Sequence, residues 1–384
     1  MSDNKTANAI AITPVAALPA LPAASPASAA GSPRPYVNER MNSRSAHRID
    51  AAKPAWSVPL DPEFSPRFVL AASGRVVVAG SIRWEMFAAG KRTGLATAAG
   101  EDAEISASTL YATDHLSQLA CVSLDAAAGP AVPLTGQKEY LRTFVHRHGD
   151  TVVVASALEA MNPVMKVASR IASLQTIRLG APDKVEYGRL VSAADRAYAE
   201  YDSTRLCVAA HNEFIVAARQ DTVEFLDLDL VVRRKLTGTF RPLGLSLDES
   251  GRIYLLVDSA LWILAPNGDC LTVPLDGLVP FHRPPIVGYD HRVYLVAPRT
   301  IRALNPDGKT AWTYQASGQV AGAIVTAGGN LLVAAGDQLV LFNSKGQPLV
   351  VRAFPGESLR AAPALAADGE VVVVTDRAVH CLRA

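Results

Sequence analysis

The sequence predicts an all-β protein, an eight-bladed β-propeller of four-stranded antiparallel blades. Three observations lead there. A pattern of about 40 residues recurs from residue 53 onward. Each copy consists of short runs rich in Val, Ile, Leu and Tyr, separated by Gly, Asp or Asn turns. No copy carries a long amphipathic helical period. One such sheet cannot bury both of its faces, whereas sheets set radially pack face to face and shelter their edges.

The clearest copy is 291–314, HRVYLVAPRTIRALNPDGKTAWTY: a β-rich run, a turn, a second run, the turn signal NPDG, and a third run with Trp312. The other copies align on the hydrophobic residue before that turn, giving Phe87, Leu124, Met161, Leu226, Leu264, Leu304, Phe342 and Leu382. Their spacings are 37, 37, 65, 38, 40, 38 and 40, so eight copies result, one of them carrying about 25 extra residues. Seven blades is the alternative, because the Leu124 copy is the weakest match.

Residues 1–52, dominated by Ala, Pro, Ser and Asn without a sustained period, are expected to be a disordered tail. Residues 53–384 are the expected propeller. The last copy stops after what reads as its second strand, and KPAWSVPL at 53–60 matches KTAWTY at 309–314. Residues 53–60 are therefore expected to add an outer strand to the last blade and close the ring. Residues 168–204 read as an insertion in one blade, with a short helix at 195–201 (DRAYAEY).

Lys plus Arg number 37 and Asp plus Glu 36, a formal charge of +1, which disfavours nucleic acid or an anionic membrane as the main partner. With 49% hydrophobic and 19% charged residues, the chain has the material for a large core. No stretch of 18 uninterrupted apolar residues occurs, and the Ala-rich head is broken by Pro14, Pro19, Pro22 and Pro26, so no membrane span is expected. Cys121, Cys207, Cys270 and Cys381 lie far apart with no CxxC pair and are expected to be free core residues, which favours a reducing, cytoplasmic setting. The apolar stretch 8–30, ending in ASAAGS, leaves periplasmic or secreted as the alternative.

In ALNPDGKTAW (303–312), ILAPNG (263–268) and EAMNP (159–163), the sequence resembles the PQQ-like repeat of the quinoprotein alcohol dehydrogenase-like propeller superfamily. That superfamily holds quinone-dependent dehydrogenases as well as assembly scaffolds, so fold alone does not select the activity. The resemblance implies, for an enzyme, tryptophan docking motifs in most blades, a vicinal disulfide beside the cofactor and a carboxylate metal site. This chain has four Trp, no adjacent cysteines and no acidic cluster of that kind. Cofactor, metal and catalytic residues are accordingly expected to be none.

Other chemistry finds little footing, as GxSxG, GxxxxGK[ST], HExxH and GxGxxG are all missing. His146 and His148 alternate along an expected strand without a third ligand; His115, His282 and His291 fall near turns; Asp227 and Asp229 read as a solvated turn. One recurrence remains. An arginine stands 8 to 11 residues ahead of the position aligned with Arg252 in several copies: Arg67, Arg142, Arg241, Arg283 and Arg360. These guanidiniums are candidates for a ring at one channel mouth that binds an anionic ligand or an acidic loop of a partner; pairing of each with a nearby carboxylate is the simpler reading. The functional expectation is a non-catalytic scaffold or accessory subunit in a larger protein complex, contacting its partner through mouth loops, the blade insertion and the tail. A quinoprotein-like enzyme or small-molecule binder with its site in the channel is the alternative.

Overall fold

A computed structural model describes residues 11–13, 53–72, 74–80, 83–96, 103–106, 109–113, 118–123, 131–133, 141–148, 151–161, 168–179, 190–200, 206–210, 214–248, 250–258, 260–266, 268–275, 284–288, 290–326, 329–365 and 369–383. Between 97 and 205 side chains are described only at Leu110, 151–155 and 174–176. Apart from 11–13, the expected tail 1–52 lies outside the described residues.

The described strands pair antiparallel in eight sheets. Two strands come first, β1 (Ala11–Thr13) and β2 (Lys53–Pro59). Sheet I is β3 (Pro66–Ala72), β4 (Arg75–Gly80), β5 (Trp84–Ala88) and β6 (Lys91–Ala96). Sheet II is β7 (Ala103–Ser106), β8 (Thr109–Thr113), β9 (Gln118–Ser123) and β10 (Ala131–Pro133). Sheet III is β11 (Leu141–His148), β12 (Thr151–Met161), β13 (Ala168–Leu179) and β14 (Leu190–Glu200). Sheet IV is β15 (Cys207–Ala210), β16 (Phe214–Arg219), β17 (Thr222–Asp227) and β18 (Val232–Thr237), with β1 beside β18. Sheet V is β19 (Pro242–Leu247), β20 (Ile253–Val257), β21 (Ala260–Leu264) and β22 (Cys270–Pro274). Sheet VI is β23 (Ile286–Val287), β24 (Val293–Val296), β25 (Thr300–Leu304) and β26 (Thr310–Gln315). Sheet VII is β27 (Val320–Val325), β28 (Leu331–Ala335), β29 (Gln338–Phe342) and β30 (Pro348–Ala353). Sheet VIII is β31 (Ala364–Leu365), β32 (Glu370–Val374) and β33 (Ala378–Arg383), with β2 outside β33. This is an all-β architecture of four-stranded meanders consistent with a propeller, with no helix among the described residues.

Sequence explains the grading within a sheet. The second strands β20, β28 and β32 are buried at every position, because runs such as IYLLV and LLVAA offer apolar side chains to both faces. The fourth strands β22, β26 and β30 are mostly exposed and carry Thr, Gln, Arg or Pro. Apolar layers fill the spaces between sheets. Phe87 and Val76 meet Val372 and Val374 between I and VIII; Val153 and Leu174 meet Ala217 and Leu226 between III and IV. Phe225 meets Leu255 between IV and V, Leu261 meets Val293 between V and VI, Ile301 meets Val333 between VI and VII, and Leu339 meets Val371 between VII and VIII. Each fully buried side chain of this kind is worth roughly 1.5–3 kcal/mol. The inner strands β3 and β7, and β7 and β11, are also in contact.

A second device recurs between neighbouring sheets. An outer-strand side chain of one sheet covers the glycine of the turn before the outer strand of the next. Trp312 lies against Gly346 so closely that a Cβ there would sit 2.5 Å from the indole Cγ. Trp56 covers Gly90 in the same way (3.1 Å), and Val273 covers Gly308 (2.5 Å). All three glycines have positive φ, 74–81°, so the turn and the contact demand the same residue. Trp312 also stacks on Phe342, ring centroids 5.4 Å apart.

Three expectations need correction. The helix at 195–201 is not formed: residues up to Glu200 are strand β14, paired with β13 from Leu179↔Leu190 to Arg170↔Glu200. Most of the extra length near 168–204 thus extends strands of sheet III, of 11 to 12 residues each in β12, β13 and β14, instead of hanging as a loop. Met161 ends a second strand, whereas Phe87, Leu226, Leu264, Leu304, Phe342 and Leu382 lie in third strands; Leu124 lies outside the described residues. The last copy has three strands of its own and lacks only the fourth, the missed element being β31, whose two residues are too short to show a period.

Gly346→Ala is expected to cost about 1–2 kcal/mol more in urea unfolding than Gly356→Ala. Both have positive φ (76° and 78°), but nothing lies within 4 Å of a Cβ at 356, so the difference isolates the tryptophan contact.

Candidate functional site at the starts of the inner strands

In an antiparallel meander the start of the first strand and the turn between the second and third lie at one end of the sheet. Hydrogen bonds at this end repeat. The carbonyls of Asp221, Arg299, Asp337 and Arg377, each in such a turn, accept the N–H of the first residue after an outer strand: Gly238 (3.1 Å), Ala316, Phe354 and Leu60 (2.8 Å each). The turns also reach the next sheet, where Val320 donates to the Pro298 carbonyl and Leu359 to that of Gly336, both at 2.8 Å. The rim is a backbone-locked platform.

Of the described members of the arginine set, Arg67 and Arg360 each follow the first paired residue of an inner strand, whereas Arg241 precedes it. Arg67 is the extra residue of a bulge in β3, between Pro66↔Gly80 and Phe68↔Ala79, and is exposed. Arg241 is exposed immediately before β19. Arg360 follows the bridge Leu359↔Thr375, donates its N–H to the Val374 carbonyl at 2.9 Å, and holds its guanidinium 3.6 Å from Asp376 Oδ2. Arg142 is the second residue of β11, where the backbone alone is described, and Arg283 lies outside the described residues.

Sequence reasoning missed the acids beside them. Asp221, Asp258, Asp337 and Asp376 sit in the second-to-third-strand turns of sheets IV, V, VII and VIII. The signal was present, as an Asp just before the third β-run in RQDTV, VDSAL, GDQLV and TDRAV. The rim therefore carries both signs of charge.

Two polar groups brace it. Glu357 Oε2 accepts a 2.6 Å hydrogen bond from the Thr375 hydroxyl and lies 3.0 Å from His380 Nε2, whose ring packs on Phe354 at 4.8 Å. Burial pushes the Glu357 carboxyl up, but the hydrogen bonds from Thr375 and His380 and the charges of His380 and Arg377 outweigh it and hold the group below its ordinary value. Ser358 and Asp376 exchange bonds, Ser358 N to Asp376 Oδ1 and Asp376 N to the Ser358 carbonyl (both 2.9 Å), fixing the approach to Arg360. Near Arg67, Arg83 donates to Asp61 Oδ2 at 2.7 Å and to the fully buried Glu85 at 3.2 Å, with Arg92 3.1 Å from the other Glu85 oxygen. The Arg83 hydrogen bond is the main reason Asp61 titrates below its ordinary range.

At the opposite end, Asp248 organises a turn and a contact between sheets V and VI. Its Oδ1 accepts Ser250 N, Ser250 Oγ and Arg252 N (2.9, 2.6 and 3.0 Å). Its Oδ2 takes the Tyr254 hydroxyl and His291 Nδ1, both at 2.9 Å. Burial first, then the Asp248 charge, push the Tyr254 phenol above its ordinary value. His291, at φ 57°, stands where the matching turns have Gly251 and Gly329, a strained position that holds the imidazole toward Asp248. Asp227 caps its own turn through Asp229 N and Val231 N (3.0 and 2.9 Å) and takes Arg233 Nε at 2.8 Å. Among the described residues no three His, Cys, Asp or Glu converge as metal ligands. His115 and His282 lie outside the described residues, and His146 and His148 are described by backbone alone.

No protein-family model matches the chain, and no curated protein is similar to it in sequence. It is similar in shape to a selenomethionine-substituted virginiamycin B lyase from Staphylococcus aureus (TM-score 0.48, 12% identity, 74% of this chain and 94% of that one). It is also similar to the WD40 domain of Neurospora crassa Pan2 (0.48, 11%, 75% and 94%) and to BBS1N solved in complex with ARL6DN (0.41, 11%, 88% and 97%).

Glu357→Gln is expected to lower stability at pH 7. Because the folded carboxyl titrates below its unfolded value, its contribution is fully present above about pH 4.5 and is lost as the pH falls through the folded value. The wild-type advantage over the variant in urea unfolding should thus shrink steadily from pH 5.5 to pH 3. Asp248→Ala, which strands Tyr254 and uncaps a turn, is expected to cost about 3 kcal/mol in the same assay.

Proposed function

We propose that the eight sheets form one closed, eight-bladed ring of PQQ-like type and that it is a non-catalytic scaffold or accessory subunit of a larger protein assembly. The apolar layers between neighbouring sheets and the pairing of β2 with β33 support the ring. The tryptophan-on-glycine contacts at Trp56 and Trp312 support the PQQ-like reading, being the role expected of a docking tryptophan.

The observation that carries the function is the rim. Arg67 and Arg241 stand exposed on a hydrogen-bond-locked backbone with no ion-pair partner among the described residues, and Arg360 is only loosely paired at 3.6 Å. Guanidiniums on a rigid support lose little on binding and accept a carboxylate through two bonds at once. The partner is a protein whose acidic loop enters this rim, with Arg142 and Arg283 completing the ring; the long sheet III and the N-terminal segment are further contact surfaces.

Affinity purification from the native host at low and high salt, with mass spectrometry and an absorbance scan, tests this. A colourless sample with a stoichiometric, salt-sensitive partner is expected, and the triple variant Arg67→Gln, Arg241→Gln, Arg360→Gln is expected to weaken that partner at least about tenfold. Undiminished binding by the triple variant, or a bound chromophore without a partner, contradicts the proposal.

A further inference from the structure

One outer edge differs from the others. Beyond β18 the chain lays its own residues 11–13 as a fifth strand, with Ala11↔Thr237, Ile12↔Leu236 and Thr13↔Lys235. Sheets V, VI and VII end at β22, β26 and β30 with no fifth strand among the described residues. The addition is short. Three ladder positions must offset the closure of the long connection, residues 14–52, that joins β1 to β2, so the segment is poised to be replaced.

We propose that the outer edge of β18 is a strand-addition site where an extended segment of a protein partner takes the place of β1. This rests on the scaffold reading and names a second contact for it. Backbone pairing supplies the docking and alternate side chains the choice of partner. The charges on β18 set that choice. Arg233 is bound to Asp227, and Arg234 donates to the Pro266 carbonyl at 3.2 Å while lying over the Phe225 ring at 5.2 Å. Lys235 makes no ion pair among the described residues; across it stand Glu224 on β17 and Thr13 on β1. The resident segment thus places a neutral residue opposite a lysine. A partner strand with a carboxylate there and uncharged residues opposite Leu236 and Thr237 pairs better with this edge.

The test uses the full chain and two fluorescein-labelled peptides, residues 8–16 (NAIAITPVA) and the same peptide with Thr13→Glu. A chain with Ala11→Cys and Thr237→Cys, cross-strand partners, locks β1 in place when oxidised. Expected are disulfide formation within one chain, peptide binding to the reduced but not the oxidised form, and about tenfold tighter binding to a Thr13→Pro chain, whose own segment pairs less well. The Glu peptide should bind about two- to fivefold tighter than the native peptide, an advantage absent from a Lys235→Gln chain. Failure of the disulfide to form, equal binding by oxidised and reduced chains, or no binding to the Thr13→Pro chain overturns the proposal. A native partner still lost with the rim arginines would then leave the scaffold reading standing, whereas peptide binding without any arginine-dependent partner would do the reverse.

Discussion

The pairing of β2 with β33 is the contact on which the remaining architecture depends. Sheet VIII has three strands from the C-terminal end of the chain, and its outer edge would otherwise present unpaired N–H and C=O groups. Residues 53–59 satisfy that edge from Lys53↔Arg383 to Pro59↔Ala378 and deliver Trp56 onto Gly90 of sheet I. The same seven residues therefore complete one sheet and cover a turn of the next, while Leu60, the residue after them, donates to the Arg377 carbonyl at the rim. Edge pairing, face packing and rim geometry meet at one short segment.

The two ends of the sheets are stabilised differently, and the difference bears on function. At the end with Asp248, His291 and Arg292, side chains tie neighbouring sheets together: His291 to Asp248, Arg292 to the Ser344 carbonyl at 2.9 Å, and Arg234 to Pro266. Polar groups there are engaged in holding turns. At the rim, backbone hydrogen bonds between turns and strand ends are joined by side-chain braces at Glu357 and Arg83, while Arg67 and Arg241 face solvent. Under the proposed scaffold role, a support of that kind keeps the ordering cost of association small.

Much of the sheet pattern was legible in the sequence because it rests on local signals. NPDG at 305–308 and NSKG at 343–346 demand a left-handed glycine, β-runs flank them, and the match of KPAWSVPL to KTAWTY follows from a tryptophan that must cover the next turn. What escaped had no local period. β23 and β31 are two residues long, too brief to show alternation, and DRAYAEY carries helix-favouring residues that β14 holds extended through its ladder with β13. At the candidate site, the arginines were visible as a recurrence, but the intervening aspartates were overlooked because they follow strands of differing composition. The Asp248–His291 contact joins residues 43 positions apart in different sheets, and only packing brings them together.

Amide hydrogen exchange across 370–383 tests the central claim most directly, comparing chains that begin at residue 53 and at residue 61. The account predicts that loss of 1–52 leaves protection of β32 and β33 unchanged, and that further loss of 53–60 lowers protection in 378–383 at least tenfold, with the turn at Gly90 loosening as well. Equal protection in both chains would contradict it, since sheet VIII would then be complete without the N-terminal strand.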